Sequence, residues 1–152
     1  MQFAREHGID AVHLSSKSVP NEEAFVQAML SELEKRKVDL ILLAGYMKRV
    51  PKEVVRRYSN RMLNIHPALL PKFGGQGMYG MNVHRAVIEA KETESGATVH
   101  FVTENYDDGE IIVQEKVQIA PDETPESLAS KVLEVEHRIY TEALVKMLEK
   151  MD

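Results

Sequence analysis
The chain has 152 residues, with 19 Lys and Arg against 24 Asp and Glu, a formal net charge of −5 and no cysteine. That length makes one domain able to bury roughly two thirds of its unfolded surface. An acidic balance without a basic block argues against a nucleic-acid partner, and the lack of cysteine excludes disulfide and thiol chemistry.

The opening residues Met1 to His7 read as the tail of an amphipathic helix, without the charged-then-apolar layout of a signal peptide. No apolar run approaches membrane-spanning length, so a membrane is not expected as a partner and the cytoplasm is the expected compartment. Ala11 to Leu14 is a short strand candidate. Asn21 then caps a helix whose first turn carries Glu22 and Glu23 at the positive end of its dipole. Phe25, Ala28, Met29 and Leu33 recur along it at helical spacing. Leu40 to Ala44 is a continuous apolar run, as in a strand covered on both faces. Pro51 opens a short helix through Tyr58, and a strand over Met62 to His66 follows. Strand, helix, strand, helix, strand in this order predicts an α/β fold with a doubly wound, mostly parallel sheet.

Past residue 70 the pattern changes. Gly74 to Met81 is glycine-rich and suits a flap, with Met78 and Met81 placed to cover an apolar ligand. Asn82 to Ala90 reads as a short helix with His84 and Arg85 on its surface. Two further strands, Thr98 to Thr103 and Ile111 to Ile119, are joined through Asp107-Asp108-Gly109 and predict an antiparallel hairpin. Thr124-Pro125-Glu126 starts a long final helix. Its buried stripe is Leu128, Val132, Val135, Ile139, Ala143 and Met147. No repeat or linker interrupts the chain, which is expected to be a single domain over 1–152.

The chemistry concentrates at Asn64-Ile65-His66-Pro67. Residues two apart in a strand share a face, so Asn64 and His66 project together from an apolar strand. Unpaired polar groups are costly inside, so a buried strand that ends in such residues usually ends in a site. An amide beside a titratable imidazole suits holding and protonating a carbonyl oxygen. By itself this pair reads more readily as a strand-end Asn and His satisfied by loop backbone.

The segment Asn64 to Pro71 with Lys72-Phe73-Gly74-Gly75, then Gly96 to Val102, Asp107-Asp108-Gly109, Ile111 to Gln114 and Glu136-His137, resembles the phosphoribosylglycinamide formyltransferases. The match runs through most of the chain from Leu40 onward. It implies formyl transfer from 10-formyltetrahydrofolate to glycinamide ribonucleotide in de novo purine synthesis, with no metal. By motif position Asn64 would hold the formyl oxygen, His66 would be the acid, and Asp107 would lie beside the imidazole and raise its pKa. His100 would support the cluster, and Thr103 would add a hydroxyl. Tyr46, Met47, Lys48, Arg49 and Val50 match the segment that wraps the pterin, where Lys48 replaces a frequent Arg. Glu136 matches a contact to the substrate ribose, although periodicity alone makes Glu136 and His137 a solvated flank. Asp108 is expected to be a turn residue.

One departure stands out. Relatives open with a strand and a glycine-rich turn that cradles the substrate phosphate, whereas no such loop precedes Gly45 here. The chain therefore reads as incomplete at its N-terminus relative to the family, with unpaired strand edges that favour a homo-oligomer. Two competing readings follow: a folate-binding or oligomerising remnant without turnover, and a metal-dependent hydrolase built on His66, His100 and Asp107.

Overall fold
The computed structural model describes residues 2–151, and Met1 and Asp152 lie outside the described residues. The chain divides into two compact units, one running to Val38 and the other starting at Asp39. The first unit holds α1 (Gln2–Glu6), a single 3-10 turn at Ser16–Ser18, and α2 (Glu22–Lys35). Asn21 caps α2 as its sequence indicates, its side chain accepting from the Ala24 amide at 2.8 Å. At the far end Arg36 donates to Asp10 at 2.7 Å and to Glu32. Val26 is the buried residue of α2, and Phe25, Ala28, Met29 and Leu33 are only partly covered. Ala11 to Leu14 is not a strand. Its short apolar alternation finds no ladder partner, and the segment runs as irregular backbone into the 3-10 turn.

In the second unit, β1 (Ile41–Leu43), α3 (Lys52–Arg57) and β2 (Met62–His66) come first. They are followed by α4 (Met81–Glu89), β3 (Glu94–Phe101), β4 (Ile111–Gln118) and α5 (Pro125–Met151). The four strands form one sheet in sequence order. Among the described residues, parallel pairing is confined to β1 and β2, with Leu43 opposite Asn64. The β2–β3 and β3–β4 pairs are antiparallel, so the sheet is mixed where the pattern suggested a mostly parallel one. Apolar runs report burial and not strand direction, which is why β3 was free to enter the sheet reversed.

The antiparallel register builds the site. Asn64 lies opposite His100 and His66 opposite Thr98, and Thr98 in turn faces Gln114 on β4. Directly paired residues share a face, so these side chains form one polar row. The opposite face carries Leu63, Ile65, Ala97, Val99 and Val113, which join the core with the α5 stripe. That stripe is the expected one: Leu128, Val132, Val135, Ile139, Ala143 and Met147 are all buried. Thr124 caps the helix by accepting from the Ser127 amide at 3.1 Å, with Pro125 as the first helical residue. Tyr140, further along α5, places its hydroxyl 2.8 Å from the Leu43 carbonyl and 3.2 Å from that of Leu63. The helix is thus tied to β1 and β2 together.

The β3–β4 ladder shifts register between Val99 and His100. Gly109 makes the turn there possible. A Cβ at this position would lie 1.8 Å from the Phe101 carbonyl oxygen, so the two segments can approach only without a side chain.

Candidate functional site
One cavity of about 1060 Å³ opens beyond the ends of β1 and β2. It is walled by the segment 42–50, by Asn64 to Pro67, by the glycine loop 75–80, by the 102–107 connection and by one side of α5. Its size sits at the upper end of small-molecule sites, and strand ends of an α/β sheet are where such sites form.

His66 and His100 are almost fully buried at its floor. His66 donates from Nε2 to the Phe73 carbonyl at 2.7 Å, and its Nδ1 lies 3.6 Å from Asp107 Oδ2. A carbonyl can only accept, so Nε2 carries the proton. His100 likewise donates from Nδ1 to the Phe101 carbonyl at 2.8 Å, which leaves Nε2 as an acceptor. Asn64 is the donor to it, its Nδ2 3.3 Å from His100 Nε2. The second N–H of the amide is free for a ligand oxygen. Asp107 completes the group. Its Oδ1 is 3.5 Å from His100 Nε2, and its Oδ2 accepts the Gly75 amide at 2.9 Å. Asn64, His66, His100 and Asp107 are therefore together as the sequence led one to expect.

Two residues of this cluster sit in the left-handed backbone region: Phe73 at φ +55° and Asp107 at φ +52°. For a bulky residue such as phenylalanine this is a strained conformation, and strain of about 1–3 kcal/mol is held where a site needs it. Here it aims the Phe73 carbonyl at His66.

The electrostatics correct one expectation. Burial pushes the His66 pKa below its ordinary 6.5, and the charge of Asp107 with the Phe73 hydrogen bond opposes this without overcoming it. The anticipated upward shift considered the carboxylate alone and left out how deeply the ring is enclosed. Burial also works against charge on Asp107. His100, the Gly75 amide and His66 outweigh it and hold the carboxyl below its usual range.

Other expectations resolve individually. Tyr46, Met47, Lys48, Arg49 and Val50 all line the cavity. The Arg49 guanidinium donates to the Glu104 carbonyl and lies 5.7 Å over the Tyr106 ring. Thr103 borders the cavity, but its hydroxyl goes to the Asp108 carboxylate and not to the imidazoles. Asp108 also accepts from Asn105 Nδ2 at 2.7 Å and so acts as a turn residue. Glu136 is half-buried against the cavity, and burial raises its pKa against the pull of His137. Met78 packs on the core, and Met81 begins α4 without reaching the cavity; Tyr79 is the loop's exposed wall residue. Arg85 is on the surface as expected, but His84 is not. It is 5% exposed, borders the cavity, and its Nδ1 has no hydrogen-bond partner. Helical periodicity could have found it, because His84 directly follows Val83 and stands three residues before Val87, both fully buried. Among the described residues no three His, Cys, Asp or Glu side chains are spaced to hold a metal ion, and no helix is long and apolar enough to cross a membrane.

Fold and site together define an α/β small-molecule domain with an amide, two imidazoles and a carboxylate gathered at a strand end. Over residues 1–144 the chain matches the family described as Formyl transferase. It belongs to that family. It is 44% identical over 150 residues to the chloroplastic phosphoribosylglycinamide formyltransferase of Arabidopsis thaliana, covering 98% of this chain and 51% of the relative. The crystal structure of phosphoribosylglycinamide formyltransferase from Bacillus halodurans superposes with a TM-score of 0.89 at 36% identity, covering 99% of this chain and 75% of that one. Glycinamide ribonucleotide transformylase 1 from Symbiobacterium toebii gives a TM-score of 0.85 at 41% identity, with 93% and 65% covered. The chain thus spans about half the length of the curated plant relative.

Proposed function
We propose that this chain performs formyl transfer from 10-formyltetrahydrofolate to the amine of glycinamide ribonucleotide, the activity for which its relatives are named. The observation that carries the reading is the cluster of Asn64, His66 and Asp107 in one cavity, in a chain this similar to proteins of that name. The donor supplies an electrophilic formyl carbon, and the protein must stabilise charge on the formyl oxygen while an amine attacks.

The free N–H of Asn64 is the fixed donor to that oxygen, with His100 setting the amide's orientation. His66 is the acid. Both of its nitrogens face acceptors, Phe73 oxygen on one side and Asp107 on the other, which is an arrangement suited to a doubly protonated ring. Burial keeps the ring neutral until negative charge gathers beside it. His66 then exchanges the Phe73 carbonyl for the formyl oxygen, and Asp107 stabilises the positive charge. The amine nitrogen bonds the formyl carbon as the bond to the folate nitrogen breaks, and the amine proton ends on that nitrogen. Tyr46 to Val50 form the wall for the pterin, and Glu136 is the contact for the acceptor ribose.

The same reading takes 1–152 as one catalytic domain and the cytoplasm as its compartment, although the Arabidopsis relative is named chloroplastic. Self-association is proposed through β1, a sheet edge whose Leu42 is 40% exposed. The test is formyl transfer to glycinamide ribonucleotide followed by absorbance. Asn64→Ala is expected to lower kcat by about 100- to 1000-fold. Folded protein that binds the folate and never turns over would overturn the catalytic reading and leave a binding remnant.

A further inference from the structure
One buried imidazole is left over once the catalytic cluster is built. His84 borders the same cavity but is hydrogen-bonded to none of the cluster's members. Its Nδ1 is sealed inside the protein without a partner. Among the described residues no group bonds its Nε2 either, and this nitrogen is not sealed, so the cavity is what it faces. The ring is held neutral. Burial and the nearby His66 both lower its pKa, and as the fourth residue of α4 it stands close to the positive end of that helix's dipole. A neutral imidazole carries a single N–H. On Nδ1 that proton would be an enclosed donor with nothing to meet, whereas on Nε2 it points into the cavity, where a ligand oxygen can accept it.

The fold puts this donor on the acceptor's side of the site. Val83 and Val87, which flank His84 on α4, join the core with the buried stripe of α5, and α5 also carries Glu136, the contact for the acceptor ribose. The wall for the pterin belongs to a different segment, between β1 and α3. Resting on the formyl-transfer reading above, we propose that His84 is a substrate-binding residue whose Nε2–H donates to the amide carbonyl oxygen of the glycinamide group. That oxygen is on the carbon next to the one bearing the attacking amine, so holding it fixes the direction in which the amine lone pair points. The formyl oxygen is left to Asn64 and His66. No proton changes hands at His84. A neutral donor also suits this place better than a cation, because it adds no charge beside His66, the ring that becomes positive in the reaction.

The test labels the chain's six histidines with nitrogen-15 and identifies the His84 signals by their loss in His84→Gln. In the unaltered chain near neutral pH the ring is expected as the neutral Nε2–H tautomer. An Nδ1–H tautomer or a charged ring would overturn the proposal. Saturating glycinamide ribonucleotide should shift the Nε2 resonance and slow exchange of its proton with water. A signal indifferent to the acceptor, or one that answers to the folate alone, also overturns it. Kinetics supply a second arm. His84→Leu is expected to lower kcat/KM for glycinamide ribonucleotide about 3- to 10-fold while the KM for the folate holds, and His84→Gln, which keeps a side-chain N–H, should recover part of the loss. Identical losses in the two folded variants would reduce His84 to packing. Should the His84 signal respond to the acceptor while no formyl group is ever transferred, the formyl-transfer reading fails and the acceptor contact is supported.

Discussion

Asp107 reaches both imidazoles and the Gly75 amide from a left-handed backbone that Asp and Asn tolerate better than most. Asp107→Asn keeps that conformation and removes only the charge. It should depress the His66 pKa further and lower kcat by about 10- to 100-fold with little change in KM. A pH–rate profile that stays in place would show that the carboxylate does not tune the imidazole. Its neighbour His100 acts at one remove, through the Asn64 amide. His100→Phe should cost activity while the fold and folate affinity persist, and an unchanged kcat would contradict its positioning role. Asn64 and His66 drew notice as a polar pair on an apolar strand, but it was the resemblance to the family's motif that singled them out together with Asp107, which by itself reads as a turn residue. The downward shift of His66 was not legible, since it depends on how deeply the folded chain encloses the ring, which no local pattern encodes.

Among the elements, α5 was the most legible, since six apolar residues at helical spacing with a Thr-Pro start leave little freedom. Ile139 lies fully buried in the middle of that stripe. Ile139→Ala should cost about 2–5 kcal/mol of unfolding free energy, measured by urea denaturation. The hairpin was legible too, but the direction in which β3 enters the sheet was not, because alternation is the same in both senses. That direction matters, for the reversed entry sets His100 beside Asn64. Gly109 holds the hairpin's entrance at the Phe101 carbonyl, the same oxygen that fixes the His100 ring. Gly109→Ala is therefore expected to lose about 1–3 kcal/mol of stability, and activity with it, as the carbonyl is displaced. Full activity in that variant would refute the coupling between turn and ring.

At the scale of the whole molecule, proton linkage sets the useful pH range. His66 and His84 both sit below their ordinary 6.5 in the folded chain, chiefly through burial. Near that pH the unfolded chain binds more protons than the folded one, so stability rises with pH. Their contribution is fully present above about 6.5 and is lost as pH falls through the depressed folded values. Asp107, also depressed, adds a loss in the same direction at lower pH. Urea midpoints should thus be lower near pH 5.5 than near pH 7.5, and His84→Gln should narrow the gap. An equal gap in that variant would mean that His84 does not contribute.

The Tyr140 hydroxyl, set between the Leu43 and Leu63 carbonyls, makes the protein its own optical gauge. Burial pushes this phenol far above the usual tyrosine range. Of the five tyrosines in the chain, it should stay silent in an alkaline absorbance titration for as long as α5 remains seated on the two parallel strands. Its ionisation then clocks the parting of that helix from the sheet, and a pH jump reads the rate without any attached label.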